Sequence, residues 1–297
     1  MRFAVLANPV SGRGRAPEAA RELEARLHSA GHSLESFQGQ SLEDAVNFLR
    51  ETASQVDRLV LVGGDGTLGF ALNSGVELPP IAILPSGTAN LVAHHLRLPR
   101  DPTEAASVAE HGKALQVDVA RVRLTGLEDE PIERWSLLCV GFGPDGEIVR
   151  RIQEQRQGPI QLTDYAGALA GVATRWDAPP QQVLADGVDL GLHGYGVVSG
   201  VSVYGTKWWN LGPCALDDRR WELFLMPELT LANAVRLSTA ATWIDLEHAR
   251  GVTRHEISRV LIQGEAPSPV QVDGDYAGTT PVELVLGERQ VSLIGPA

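Results

Sequence analysis

The apolar run Leu59-Val60-Leu61-Val62 leads without a break into Gly63-Gly64-Asp65-Gly66-Thr67. Such a run is a buried strand, and the glycines after it let backbone amides approach an anion closely. A helix starting there adds a field that favours phosphate. The same order occurs twice more. Ile81-Ala82-Ile83-Leu84 precedes Pro85-Ser86-Gly87-Thr88-Ala89-Asn90, and the run from Arg2 to Ala7 precedes Asn8-Pro9-Val10-Ser11-Gly12-Arg13-Gly14. Three polar, glycine-bearing loops at the ends of parallel strands predict a site for a phosphate-bearing ligand. Gly64–Gly69 also matches the pattern GxGxxG. The ribose-binding acid of a dinucleotide site would fall in Ile81–Leu84, where there is none, and no GxxxxGK[ST] motif occurs.

These loops need a sheet to hold them. Strands at Arg2–Ala7, Leu34–Phe37, Leu59–Val62 and Ile81–Leu84 alternate with helices at Pro17–Leu27 and around Ala45, Phe48 and Leu49. This predicts an α/β N-terminal domain, a doubly wound and mostly parallel sheet. It covers residues 1–122 and takes back a return segment near 288–297. Between them, 123–287 reads as a β-rich antiparallel C-terminal domain. Its short runs are Tyr195–Val203, Trp221–Met226, Ile257–Ile262, Val270–Asp273 and Val282–Leu286, and Val291–Ile294 follows. Helices are expected at Glu147–Gln155, Tyr165–Trp176 and Leu231–Ser238.

Composition narrows the function. The 297 residues carry 25 Lys and Arg against 37 Asp and Glu, a formal charge of −12. That balance excludes a non-specific nucleic-acid binder and a protein held to anionic lipid by its overall field. Two cysteines with no CxxC or clustered His pattern give neither a zinc site nor a disulfide scaffold. Phe3–Ala7 is too short for a signal-peptide core, and no stretch reaches about 20 apolar residues. A cytoplasmic protein, at most peripheral to a membrane, is expected.

Asn8-Pro9-x-Ser11-Gly12, Gly63-Gly64-Asp65-Gly66-Thr67 and Leu84-Pro85-x-Gly87-Thr88-Ala89-Asn90-x-x-Ala93 together resemble the catalytic domain of diacylglycerol and sphingosine kinases, most closely the soluble bacterial lipid kinases. Gly141-Phe142-Gly143-x-Asp145, Pro213–Glu222 and Val272-Asp273-Gly274-Asp275 extend the likeness along the chain. The resemblance implies an ATP- and Mg2+-dependent kinase of a lipid hydroxyl, diacylglycerol-like or sphingoid. Gly63, Gly64, Asp65, Gly66, Thr67 and Leu68 would cradle the phosphates, with Asp65 near magnesium and Thr67 donating to a phosphate oxygen. Gly87 and Thr88 would contact the nucleotide, and Asn8, Ser11 and Arg13 would close that edge. Asp273 and Asp275 would supply the general base, with Asp273 indispensable and Asp275 supportive. Asp218 and the carbonyls of Ala215 and Arg220 would hold a structural magnesium. Two other readings share the loops: a kinase of another hydroxyl substrate such as NAD, and a nucleotide-binding regulator with weakened catalysis.

Five positions depart from the family's pattern. Gly69 and Phe70 stand where Asn and Glu are usual, Phe37 where relatives often carry Thr, Arg219 where a turn wants Gly, and Asp275 where Glu is expected. Lys207-Trp208-Trp209 suits a membrane interface, so a peripheral contact through Trp208 and Trp209 is expected. Arg150, Arg151 and Arg156 read as a solvated helix face before a headgroup site. A homodimer is compatible with all of this.

Overall fold

The computed structural model describes residues 1–39, 41–155 and 162–296; Arg156 and the side chain of Lys207 lie outside that description. The chain divides into two compact units, Met1–Val117 with Gln290–Ala297, and Asp118–Arg289.

The first unit contains β1 (Arg2–Ala7), α1 (Ala16–Ser29), β2 (Ser33–Phe37), α2 (Leu42–Thr52), β3 (Arg58–Gly63), α3 (Asp65–Leu72), β4 (Ile81–Pro85), α4 (Leu91–His95) and α5 (Pro102–His111). Its strands are parallel in the order β2-β1-β3-β4, with Ala4 opposite Leu59 and Leu61 opposite Ile83. The continuous apolar runs are explained by burial on both faces. On one face Phe3, Val5, Val60, Val62, Ala82 and Leu84 pack against Ala20, Leu23 and Leu27 of α1 and Ala105, Ala106 and Ala109 of α5. Ala4, Leu6, Leu59 and Leu61 point the other way and are equally buried. The end of the strand that closes the chain's described portion joins this sheet beside β4 in parallel, Leu293 opposite Ile81.

The second unit is mainly antiparallel. In chain order come β5 (Lys113–Thr125), β6 (Pro131–Ser136), β7 (Cys139–Phe142), α6 (Pro144–Gln155), α7 (Leu162–Ala173), β8 (Gln181–Ala185), β9 (Val188–His193), β10 (Gly196–Ser199), β11 (Val203–Tyr204) and β12 (Thr206–Asn210). After them come β13 (Trp221–Leu225), α8 (Leu231–Trp243), β14 (Thr253–Ile257), β15 (Arg259–Gln263), β16 (Pro269–Val272) and β17 (Asp275–Gly295). The strand order is β14-β13-β10-β7-β16-β17. Trp221, Phe142, Leu223 and Val270 lie in its core.

Four local expectations change. The run Tyr195–Val203 is two strands, β10 and β11, which lie in different sheets. The run Ile257–Ile262 is two strands, because the Asp186 carboxylate accepts the Ser258 and Arg259 amides and breaks the ladder between them. Val282–Leu286 and Val291–Ile294 belong to the single strand β17. α8 continues past Ser238 to Trp243.

Candidate functional site

β1, β3 and β4 end side by side, so the three loops that follow them meet. Their contact is backbone to backbone. A Cβ placed on Gly87 would lie 2.6 Å from the Gly64 Cα, and one on Gly12 would lie 2.6 Å from the Ser86 carbonyl oxygen. No side chain fits between such surfaces, so Gly12 and Gly87 are required by the loops themselves, while a Cβ on Gly64 would lie a tight 3.1 Å from the Gly87 Cα. Side chains complete the seam. Asn8 Nδ2 donates to Thr67 Oγ1 at 3.2 Å, and Ser86 Oγ donates to Ser11 Oγ at 3.2 Å. Asn90 is buried in the left-handed region and bridges Gly87, its Oδ1 accepting the Gly87 amide and its Nδ2 donating to the Gly87 carbonyl.

The N-terminus of α3 opens at this seam. Its N-cap is Gly64, which offers no side-chain acceptor, whereas α2 and α5 are capped by Ser41 and Asp101. An eight-residue helix begun this way directs its first amides and its dipole outward. Gly66 and Thr88 are exposed at the rim, as is Arg13, whereas Thr67 and Leu68 are buried and contribute through the backbone and the Asn8 bond. Phe37 stacks on Phe48 of α2, ring centroids 5.6 Å apart, which gives that departure a packing role.

Asp65 is half-buried on the loop. Its Oδ2 accepts the Leu91 amide at 2.9 Å and its Oδ1 the Val92 amide at 3.2 Å, so it caps α4 from a distance. The carboxylate thereby fixes the loop after β4 to the loop after β3.

The second unit places the other acidic pair at a hairpin. Val272 is opposite Asp275 in the β16–β17 ladder, and the two residues between them, Asp273 and Gly274, have φ of 55° and 87°. Two successive positive φ values are what a type I′ turn needs, and Asp-Gly supplies them. The Asp273 carboxylate is caged: it accepts the Ser136 hydroxyl at 2.6 Å and the amides of Leu137, Leu138 and Cys139 at 2.9–3.1 Å. Asp275 differs. It is exposed and accepts one bond, from Gln153 Nε2 at 3.0 Å.

Residues 2–122 match the model of the diacylglycerol kinase catalytic domain. That stretch holds all three loops. Residues 2–122 belong to the diacylglycerol kinase catalytic-domain family. Over 188 residues the chain is 29% identical to a diacylglycerol kinase of Mycobacterium tuberculosis, a match spanning 62% of this chain and 59% of that protein's length. It is 24% identical to one of Staphylococcus carnosus over 310 residues, 99% of this chain and 95% of the relative. The crystal structure of a Bacillus anthracis protein assigned as a diacylglycerol kinase shares the fold, with a TM-score of 0.78 at 21% identity over 99% of this chain and 95% of that one. Yeast NADH kinase, solved with NADH, superposes more loosely, at a TM-score of 0.59 and 13% identity over 100% of this chain and 84% of its own.

The second unit also carries a buried acid that the motif reading left without a role. Asp145, at the start of α6, is 5% exposed; Tyr204 Oη donates to its Oδ1 and Gln271 Nε2 to its Oδ2 at 3.0 Å. A Cβ on Gly141 would overlap this carboxylate, which explains the glycine four residues earlier. Burial pushes the Asp145 carboxyl up to about 6, against the opposing effect of its two hydrogen bonds. Burial likewise raises the Tyr204 phenol, with Asp145 adding to it.

The segment assigned to a structural magnesium is held by protein groups. Asp118, buried, accepts the Arg219 amide, and Arg219 takes the positive φ, 60°, that the turn demands. Asp218 is exposed and its Oδ1 is turned onto the Arg220 amide at 2.9 Å. Arg254 donates to both oxygens of Glu222, to Glu247 and to the Pro213 carbonyl, so a guanidinium supplies the local positive charge. Among the described residues no three Asp, Glu, His or Cys side chains are grouped to hold a metal.

Three outcomes follow from these contacts. Asp65→Ala lowers unfolding free energy by about 1–2 kcal/mol through the lost cap, while Asp65→Asn loses less; urea titration reads both. Asp218→Ala shifts the melting temperature equally in magnesium and in chelator, whereas Arg254→Met lowers it in both. For Asp145, an unfolded aspartate ionises near 3.8 and the folded one near 6, so the native state holds the extra proton between them. Its contribution to stability therefore falls as pH rises from about 4 to about 6, by about 3 kcal/mol in all. Asp145→Asn removes that titration, so relative to the parent the variant gains about this much between pH 4 and pH 7.

Proposed function

We propose that the chain is a kinase that transfers the γ-phosphate of ATP to a lipid hydroxyl of the diacylglycerol class. The observation that carries this reading is the seam of three glycine loops around the uncapped N-terminus of α3, within a diacylglycerol kinase catalytic domain. Outward amides and a helix dipole are suited to a nucleotide's phosphates. The surrounding side chains are neutral apart from Asp65 and the exposed Arg13 and Arg15. The phosphates' charge therefore needs a cation that arrives with the nucleotide. Magnesium takes most of its ligands from phosphate and water, and Asp65 is the carboxylate that would hold it at the loop; bound there, it neutralises charge on the transferred group.

Phosphoryl transfer also needs a base for the acceptor's proton. A carboxylate can act so only with a lone pair in reach of that proton. Four donors converge on Asp273, so its work is to hold the start of β7. Asp275, exposed beside it, is the better base, and its shorter side chain is carried on the rigid hairpin. This reverses the division of roles expected from the motif. Trp208, 64% exposed, supports a peripheral contact with the membrane that contains the substrate, while Trp209 is half-buried.

The reading is tested by incubating the protein with γ-labelled ATP and diacylglycerol, a sphingoid base or NAD, in magnesium or in chelator. Label in the diacylglycerol product that needs magnesium is the expected result. Label in NAD alone assigns the other acceptor class, and nucleotide binding with no label anywhere assigns a regulator. Asp275→Asn should cut turnover by about 10²–10⁴ with ATP affinity unchanged. Asp273→Asn should instead lower unfolding free energy by about 2–4 kcal/mol, because an amide cannot accept from all four donors.

A further inference from the structure

α8 turns Ala234, Leu237, Ala240 and Ala241 inward. Its other side presents Leu231, Ala232, Val235, Thr239, Thr242 and Trp243, with Ile244 just beyond, all exposed and none charged. A helix that faces water sets Lys, Glu or Arg on that side. Here the exposures are extreme: Trp243 is 79% and Val235 68% exposed. β12, which carries the exposed Trp208, packs beside α8. The two threonines do not soften the face. Thr239 Oγ1 donates to the Val235 carbonyl and Thr242 Oγ1 to the Ser238 carbonyl, each at 2.7 Å, so both hydroxyl protons are satisfied within the helix.

Charge decides what covers such a face. The chain's net charge of −12 opposes an anionic surface. The basic residues on α6 are not free for headgroups either: Arg150 and Arg151 are paired with Glu147, and Arg150 also with Glu154. The one charged residue of α8, Arg236, is half-buried with its Nε shielded, so an approach to lipid must rest on apolar burial, for which tryptophans on and beside an uncharged helix face about 20 Å long are suited. We propose that the exposed face of α8, with Trp208, is the membrane-docking surface of this protein, and that it binds uncharged lipid surfaces without help from headgroup charge. The inference rests on the lipid-kinase reading for its choice of a bilayer as the occupant.

The test is co-sedimentation of the full chain, without nucleotide, with vesicles of phosphatidylcholine alone or mixed with phosphatidylserine, at low and high salt. The expected result is binding to pure phosphatidylcholine that salt does not weaken and that added phosphatidylserine does not improve. Val235→Glu combined with Trp243→Glu, both at exposed positions, should lower partitioning about tenfold or more. The single variant Trp243→Ser should give a smaller loss. Binding only to the anionic vesicles, binding lost in high salt, or unchanged binding by the double variant would each overturn the proposal. So would a parent dimer in sedimentation velocity that the double variant dissociates, since a second copy would then cover the face. Phosphorylation of a short-chain, monodisperse diacylglycerol separates this from the kinase reading. Docking without phosphorylation leaves the surface and removes the kinase, and phosphorylation without docking does the reverse.

Discussion

Two glycine backbones touching, Gly64 against Gly87, set the geometry on which the edge formed by the three loops depends. Because neither residue has a Cβ, the loops after β3 and β4 lie flat against each other. Asp65 then reaches the amides of Leu91 and Val92, and Asn90 ties Gly87 to its own turn. The amides at the start of α3 are aimed by contacts among the loops before any ligand is present. Pre-organised donors of this kind need no rearrangement to meet developing charge.

Much of this was legible in the amino-acid order. Strands buried on both faces must be apolar throughout, which made β1, β3 and β4 readable, and their loops announced themselves through glycine and hydroxyl residues. What could not be read was the identity of partners distant in sequence. Asp273 lies 134 to 137 residues from the amides and hydroxyl that cage it, so its motif position gave no sign of these four bonds. The break at Ser258 was hidden for the same reason, since its cause is Asp186, 72 residues earlier. Asp145 had a local sign, the glycine at 141, but a missing Cβ does not say which side chain will fill the space.

The acids of the second unit show how one residue type is put to three uses by its surroundings. Asp273 is saturated by donors, Asp275 stands in water with one amide partner, and Asp145 is buried with a phenol and a carboxamide. Desolvation without a cation makes the last of these the group that responds to mild acid. Arg254 and Asp118 similarly hold the Pro213–Glu222 segment with protein charges.

β17 also governs the order in which the molecule can be made. Its end supplies the neighbour of β4, yet it is synthesised more than two hundred residues after β4. Until then the nascent first unit presents the unpaired edge of Ile81–Pro85, a short apolar strand open to pairing with other chains. The first unit thus cannot finish its sheet as an autonomous N-terminal product of synthesis. During elongation its completion waits for residues more than two hundred positions downstream, as the spacing from Ile81 to Leu293 sets.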